Sequence, residues 1–69
     1  MKSPRKEIIS VREREVVKLY ALGKTYEQIA DVLFISADTV RTHINNVRRK
    51  CYGKPMRTVI YWLRGAGAI

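Results

Sequence analysis

The sequence predicts an all-α domain of four helices. Apolar residues recur at helical spacing in four segments, and a capping residue stands before each of the first three. No segment shows the period-two alternation of a strand. At 69 residues, the chain has room for one domain with one small core.

Residues 1–7 mix Lys, Ser, Pro and Arg without periodicity and read as a tail or linker before a domain spanning 8–64. Ser10 and Glu13 have the spacing of a capping box, in which the hydroxyl takes the third amide and the carboxylate bonds back. Val16, Leu19 and Tyr20 follow at i, i+3 and i+4. Gly23 closes this first helix, expected over about 11–22. Thr25 and Gln28 repeat the box one turn on, opening a second helix over about 26–34 that buries Ile29, Ala30, Leu33 and Phe34. Ala30 is small enough to let the next helix approach closely.

Ser36 is the third cap, and Asp38 complements the positive end of the helix dipole. The third helix, about 37–51, carries one narrow apolar stripe of Val40, Ile44 and Val47. Its remaining surface is polar or cationic. Two short capped helices joined by a few residues read as a helix-turn-helix. Gly53 and Pro55 break the chain before a fourth helix over about 56–64. That segment bears Met56, Val59, Ile60, Tyr61, Trp62 and Leu63, more apolar surface than one edge of a small domain buries. Part of it is expected to face another protein. Residues 65–69 read as a frayed end.

Composition narrows the function. The formal charge is +8, and its distribution is uneven. Residues 1–35 carry seven Lys/Arg against five Asp/Glu, whereas residues 36–69 carry seven against one, Asp38. Charge gathered in one half points to a polyanion-binding surface there. One cysteine and one histidine exclude a disulfide and a structural zinc site built from Cys and His, so no metal or cofactor is expected. Cys51 reads as a small core residue. No paired carboxylates or nucleophile–base constellation appears, so the chain is not expected to be an enzyme. It lacks a signal-peptide core and any apolar run long enough to span a bilayer, which makes the cytoplasm the expected compartment.

Three blocks, Ile9–Val16, Gly23–Ala30 and Leu33–Ile44, together resemble the LuxR-type (GerE/NarL/FixJ-like) helix-turn-helix DNA-binding domain. The resemblance runs over about residues 8–64. It implies sequence-specific binding of double-stranded DNA for transcriptional regulation, with the third helix in the major groove. It also implies a homodimer on an inverted repeat through the fourth helix, with RNA polymerase or a regulatory domain as further partners. Carried over by position, Arg41, Thr42 and Asn45 face base edges. Arg41 suits guanine O6 and N7, Thr42 a thymine methyl, and Asn45 an adenine edge. Thr25, Tyr26, Thr39, His43 and Lys50 fall on phosphate-contacting positions. Val59, Ile60, Tyr61 and Trp62 fall on the dimer or partner face.

The chain departs from the family pattern at several places. Tyr26 replaces a short polar or basic residue, and Cys51-Tyr52-Gly53 replaces Leu-Gly-Val. Pro55-Met56 replaces Asn-Arg, which removes the usual cap of the fourth helix. Val59, Tyr61 and Trp62 replace mostly small residues. A second reading follows from these: a protein-interaction module that works through its fourth helix. RNA binding would want aromatic stacking platforms that the sequence does not offer.

Overall fold

A computed structural model of the chain describes residues 9–69. Its elements are α1 (Val11–Ala21), α2 (Tyr26–Leu33), α3 (Ala37–Lys50) and α4 (Met56–Gly65), with no strand among the described residues. The fold is all-α, and each helix ends within one residue of its expected limit. Residues 1–7, read as a tail or linker, lie outside the described residues.

Local chemistry sets the helix starts. Ser10 Oγ accepts the Glu13 amide at 3.1 Å, and Glu13 Oε1 accepts the Ser10 amide at 3.0 Å. Thr25 and Gln28 make the same reciprocal pair at 3.1 and 2.9 Å. Ser36 Oγ takes the Thr39 amide at 3.0 Å. Pro55 precedes α4 without a side-chain cap, as its lack of a suitable polar group requires. Each cap satisfies an amide that the helix itself cannot.

Packing divides the interior into two clusters that share α1 and α3. Val16 joins Ile29, Ala30, Val40 and Ile44, fixing α2 and α3 as a unit. The adjacent Val17 joins Ile9, Val47, Cys51, Val59, Leu63 and Ala68, fixing α4 beneath the end of α3. The stripe of α3 therefore spans both clusters. Cys51 is fully buried, and burial pushes its thiol pKa up, so it packs as an apolar group.

One expectation is corrected, and three others meet new structural detail. Phe34 is not buried. It takes a left-handed conformation (φ 57°) as the C-cap of α2 and is 94% exposed, while the Ile35 amide reaches back to Ala30 O. Reversing the chain in so short a turn needs positive φ at this position, and that turns the ring out of the core. Val59, expected on the dimer or partner face, is buried: it and Leu63, one turn apart, form the buried stripe of α4. Residues 65–69, expected as a frayed end, comprise the last residue of α4 and a turn after it. Gly67 (φ 73°) lets the Ala68 amide bond Leu63 O at 2.8 Å, and this turn buries Ala68 in the core. Lys50, expected at phosphate, points its ammonium onto Glu13, as described below.

Candidate nucleic-acid interface

The candidate surface is what α3 leaves uncovered. With Val40, Ile44 and Val47 turned inward, the outward face carries Asp38, Arg41, Thr42, Asn45 and Arg49, at i, i+3, i+4, i+7 and i+11. All five are exposed. The three positions expected at base edges, Arg41, Thr42 and Asn45, thus come together on one face of a helix anchored from behind by both core clusters. Spacing of this kind places side chains in one row along a helix.

Hydrogen bonds orient that row. Arg41 Nη1 donates to Asp38 Oδ1 at 2.8 Å. The Arg41 guanidinium also lies over the Tyr26 ring, 6.0 Å from its centroid. Tyr26 is the first residue of α2, half-buried and tilted against Tyr20 with centroids 6.3 Å apart. The Thr42 hydroxyl donates to Asp38 O at 3.1 Å, so its methyl is the part left for an apolar contact. The Asn46 carbonyl oxygen accepts from Arg49 Nη1 at 3.1 Å. Asp38 and Arg49 were not among the expected site residues. Counting along the outward face from Arg41 would have found both.

The expected phosphate positions separate into groups. Thr25 and Thr39 are exposed at helix starts, and their hydroxyls take part in caps. Thr25 Oγ1 accepts an amide, and Thr39 Oγ1 lies 2.8 Å from Ser36 Oγ. His43 is half-buried beside the apolar stripe. Lys50 differs from the others, because its Nζ donates to Glu13 Oε1 at 2.7 Å. That oxygen also takes the Ser10 amide, so the carboxylate links the N-cap of α1 to the last turn of α3. Burial raises the Glu13 pKa, but the bonds from Lys50 and Ser10 outweigh it and hold the carboxyl below its ordinary value. A separation of 37 residues hid this pair from any local pattern.

The turn after α3 uses another cation internally. Tyr52 (φ 61°) and Gly53 (φ 70°) are both left-handed. Arg48 Nε donates to Lys54 O at 3.1 Å and its Nη2 to Gly53 O at 3.4 Å, clamping this turn. Beyond it, the outer side of α4 forms an open concavity of about 600 Å³ lined by Arg57, Ile60, Tyr61, Trp62, Arg64 and Gly65. Tyr61 is 76% exposed, whereas Ile60 and Trp62 are half-buried against the core. The Trp62 ring meets Tyr52 edge-on at 6.2 Å. No cluster of metal-binding side chains occurs among the described residues, and no helix there is long and apolar enough to cross a membrane.

Comparison with known proteins bears on this arrangement. The family model described as bacterial regulatory proteins, luxR family, matches residues 7–54. The matched stretch holds α1 to α3 and the turn after them, and stops short of α4. The chain is similar to the spore germination protein GerE of Bacillus subtilis, with 49% identity over 45 residues, covering 65% of this chain and 61% of that protein. It is also 43% identical over 49 residues to the transcriptional activator protein ExpR of Dickeya dadantii, covering 71% of this chain and 20% of that protein. The transcriptional regulatory protein LiaR of Bacillus subtilis is 46% identical over 44 residues, covering 64% of this chain and 21% of that protein. The chain thus spans about a fifth of two of these relatives and less than two thirds of the third.

Proposed function

Because the chain belongs to the LuxR family of bacterial regulatory proteins, whose work is DNA-binding regulation of transcription, we propose that it reads double-stranded DNA by laying α3 in the major groove. The single observation that carries this reading is the exposed row of Arg41, Thr42 and Asn45 opposite the buried stripe of α3. A helix of this width fits the major groove, and these side chains match its donor and acceptor patterns. Arg41 takes a guanine edge, Asn45 an adenine edge, and the Thr42 methyl a thymine methyl. Thr25, Tyr26, Thr39 and His43 flank that row and lie at the backbone. Lys50 serves first as a brace, and only the donors it does not turn to Glu13 remain for phosphate.

Two copies on an inverted repeat would double the contact area and match a two-fold operator. With Val59 inside the core, the contact between copies falls to Tyr61 and the exposed edges of Ile60 and Trp62. The exposed Tyr61, set between Arg57 and Arg64, equally supports docking of a different protein on α4.

Selection of duplexes from a randomised pool tests the reading. The expected product is an enriched half-site a few base pairs long, repeated in inverted orientation. The Arg41→Ala variant is expected to lose about 1–3 kcal/mol on that duplex and its preference at one position. A pool that shows no enrichment, or an Arg41→Ala variant that binds the selected duplex as wild type does, would refute it. A half-site without a repeat would favour the single-copy, partner-docking reading of α4.

A further inference from the structure

We infer that Asp38 and Tyr26 are positioning residues that fix the aim of Arg41 and thereby set its base selectivity. This rests on the reading of Arg41 as a base-contacting residue. Arginine is long and flexible, and an unconstrained guanidinium reaches phosphates and several base edges alike. Here two neighbours on different helices hold it. Asp38 Oδ1 takes one N–H of Nη1 at 2.8 Å, and the Tyr26 ring underlies the guanidinium at 6.0 Å. The bond draws the fork toward Asp38 and the face of the ring attracts its charge, while the fork's other N–H groups stay available for a guanine edge.

Asp38 complements the dipole at the start of α3, but an acidic residue elsewhere in that first turn would do so without reaching Arg41. Its side chain is 88% exposed, and it is the one acidic residue after position 31. On a face offered to a polyanion, a carboxylate weakens binding to every sequence alike. An exposed i, i+3 ion pair adds little to stability. Beside its part at the helix start, the contact with Arg41 contributes orientation, and that favours the duplex whose base edge lies where the fork already points. Tyr26 changes role accordingly: its ring, rather than its hydroxyl at a phosphate, is the part that acts.

The test uses the whole 69-residue chain, the duplex that wild type selects, single-base variants of that duplex, and an unrelated duplex. The base pair at which Arg41→Ala loses its preference defines the position to be read. There, Asp38→Asn and Tyr26→Leu are each expected to lower discrimination about threefold to tenfold, a large share of what one bidentate contact supplies. Asp38→Asn should also bind the unrelated duplex at least as tightly as wild type, since it removes a negative charge. Tyr26→Phe keeps the ring and should keep the discrimination. Asp38 is exposed, so its variant reports on binding without perturbing the core.

Retained discrimination in Asp38→Asn and Tyr26→Leu, with loss in Arg41→Ala, would overturn the inference alone. Equal weakening of all duplexes by Tyr26→Phe and Tyr26→Leu would overturn it in favour of a hydroxyl–phosphate contact. If Arg41→Ala loses preference at no position, the base-reading assignment falls and this inference falls with it.

Discussion

The pairing of Glu13 with Lys50 gives the strongest test of how α3 is held. Lys50→Met keeps most of the aliphatic stem and removes the ammonium. Breaking a fully buried ion pair costs about 3–5 kcal/mol, because the surviving charge is left without a partner. An exposed pair is worth at most about 1 kcal/mol. The Glu13 side chain is 7% exposed and that of Lys50 is 35% exposed, so this pair falls between those limits. Retention of the Ser10 amide bond to Glu13 moderates the loss further. We expect about 2 kcal/mol, which for a domain of this size lowers the melting temperature by about 8–16 °C.

The pH dependence has a definite sign. The folded carboxyl of Glu13 lies below its ordinary value. Its stabilisation is therefore complete at neutral pH and disappears as pH falls through the folded-state value. The cost of Lys50→Met should be largest at pH 7 and should shrink once acid takes the pH below the folded-state value, where the carboxyl is protonated in both proteins. Urea denaturation followed by circular dichroism, in a double-mutant cycle with Glu13→Gln, measures the coupling directly. Coupling under about 0.5 kcal/mol at pH 7, or coupling that persists unchanged below the folded-state value, would refute the account.

Other substitutions probe the turn after α2, the two faces of α4 and the start of α3. Phe34→Gly replaces an exposed ring at φ 57° with a residue that accepts this conformation at no steric cost. It should raise stability by about 1 kcal/mol, read as a higher melting temperature. Val59→Ala removes two buried methyl groups and should cost about 2 kcal/mol, whereas Tyr61→Ala should stay within about 0.5 kcal/mol. If the two changes cost the same, the assignment of α4's inner and outer faces is wrong. Ser36→Ala removes the cap of α3 and should cost about 1 kcal/mol by thermal denaturation, with the loss appearing as fraying of its first turn by amide exchange.

The helix starts were legible because capping is local. Ser10 with Glu13, Thr25 with Gln28, and Ser36 each declare themselves within four residues. The stripe of Val40, Ile44 and Val47 was equally plain, since the residues between them are polar. In α4 five consecutive apolar residues, 59–63, give a helix no readable sidedness, and only packing beneath α3 decides that Val59 and Leu63 go inward. Phe34 misled because stopping a helix in the left-handed region is usually the work of glycine, and composition cannot show a ring turned outward by its own backbone. Lys50 and Glu13 meet across 37 residues, beyond any periodic signal. The exposed row of Arg41, Thr42 and Asn45 was reached by position through the family resemblance, and the buried stripe lies opposite it. The approach of Tyr26 to Arg41 depends on how α2 sits against α3, whereas Asp38 stands one turn before Arg41 on the same helix.

The internal pairings also bear on how the protein responds to ionic strength. Its formal charge of +8 suggests indiscriminate attachment to any duplex at low salt. Binding to DNA is driven by counterions released from phosphates, in proportion to the cations that replace them. Arg41 already faces Asp38, Lys50 faces Glu13, and Arg48 is turned onto two carbonyl oxygens of its own turn. Each of these must share or give up an existing partner to displace an ion from the duplex. The slope of affinity against salt should accordingly be shallower than the count of lysines and arginines suggests. With α3 in the groove as proposed, such a domain is expected to leave non-specific DNA more readily, its time on any stretch set more by the fit of that helix than by charge.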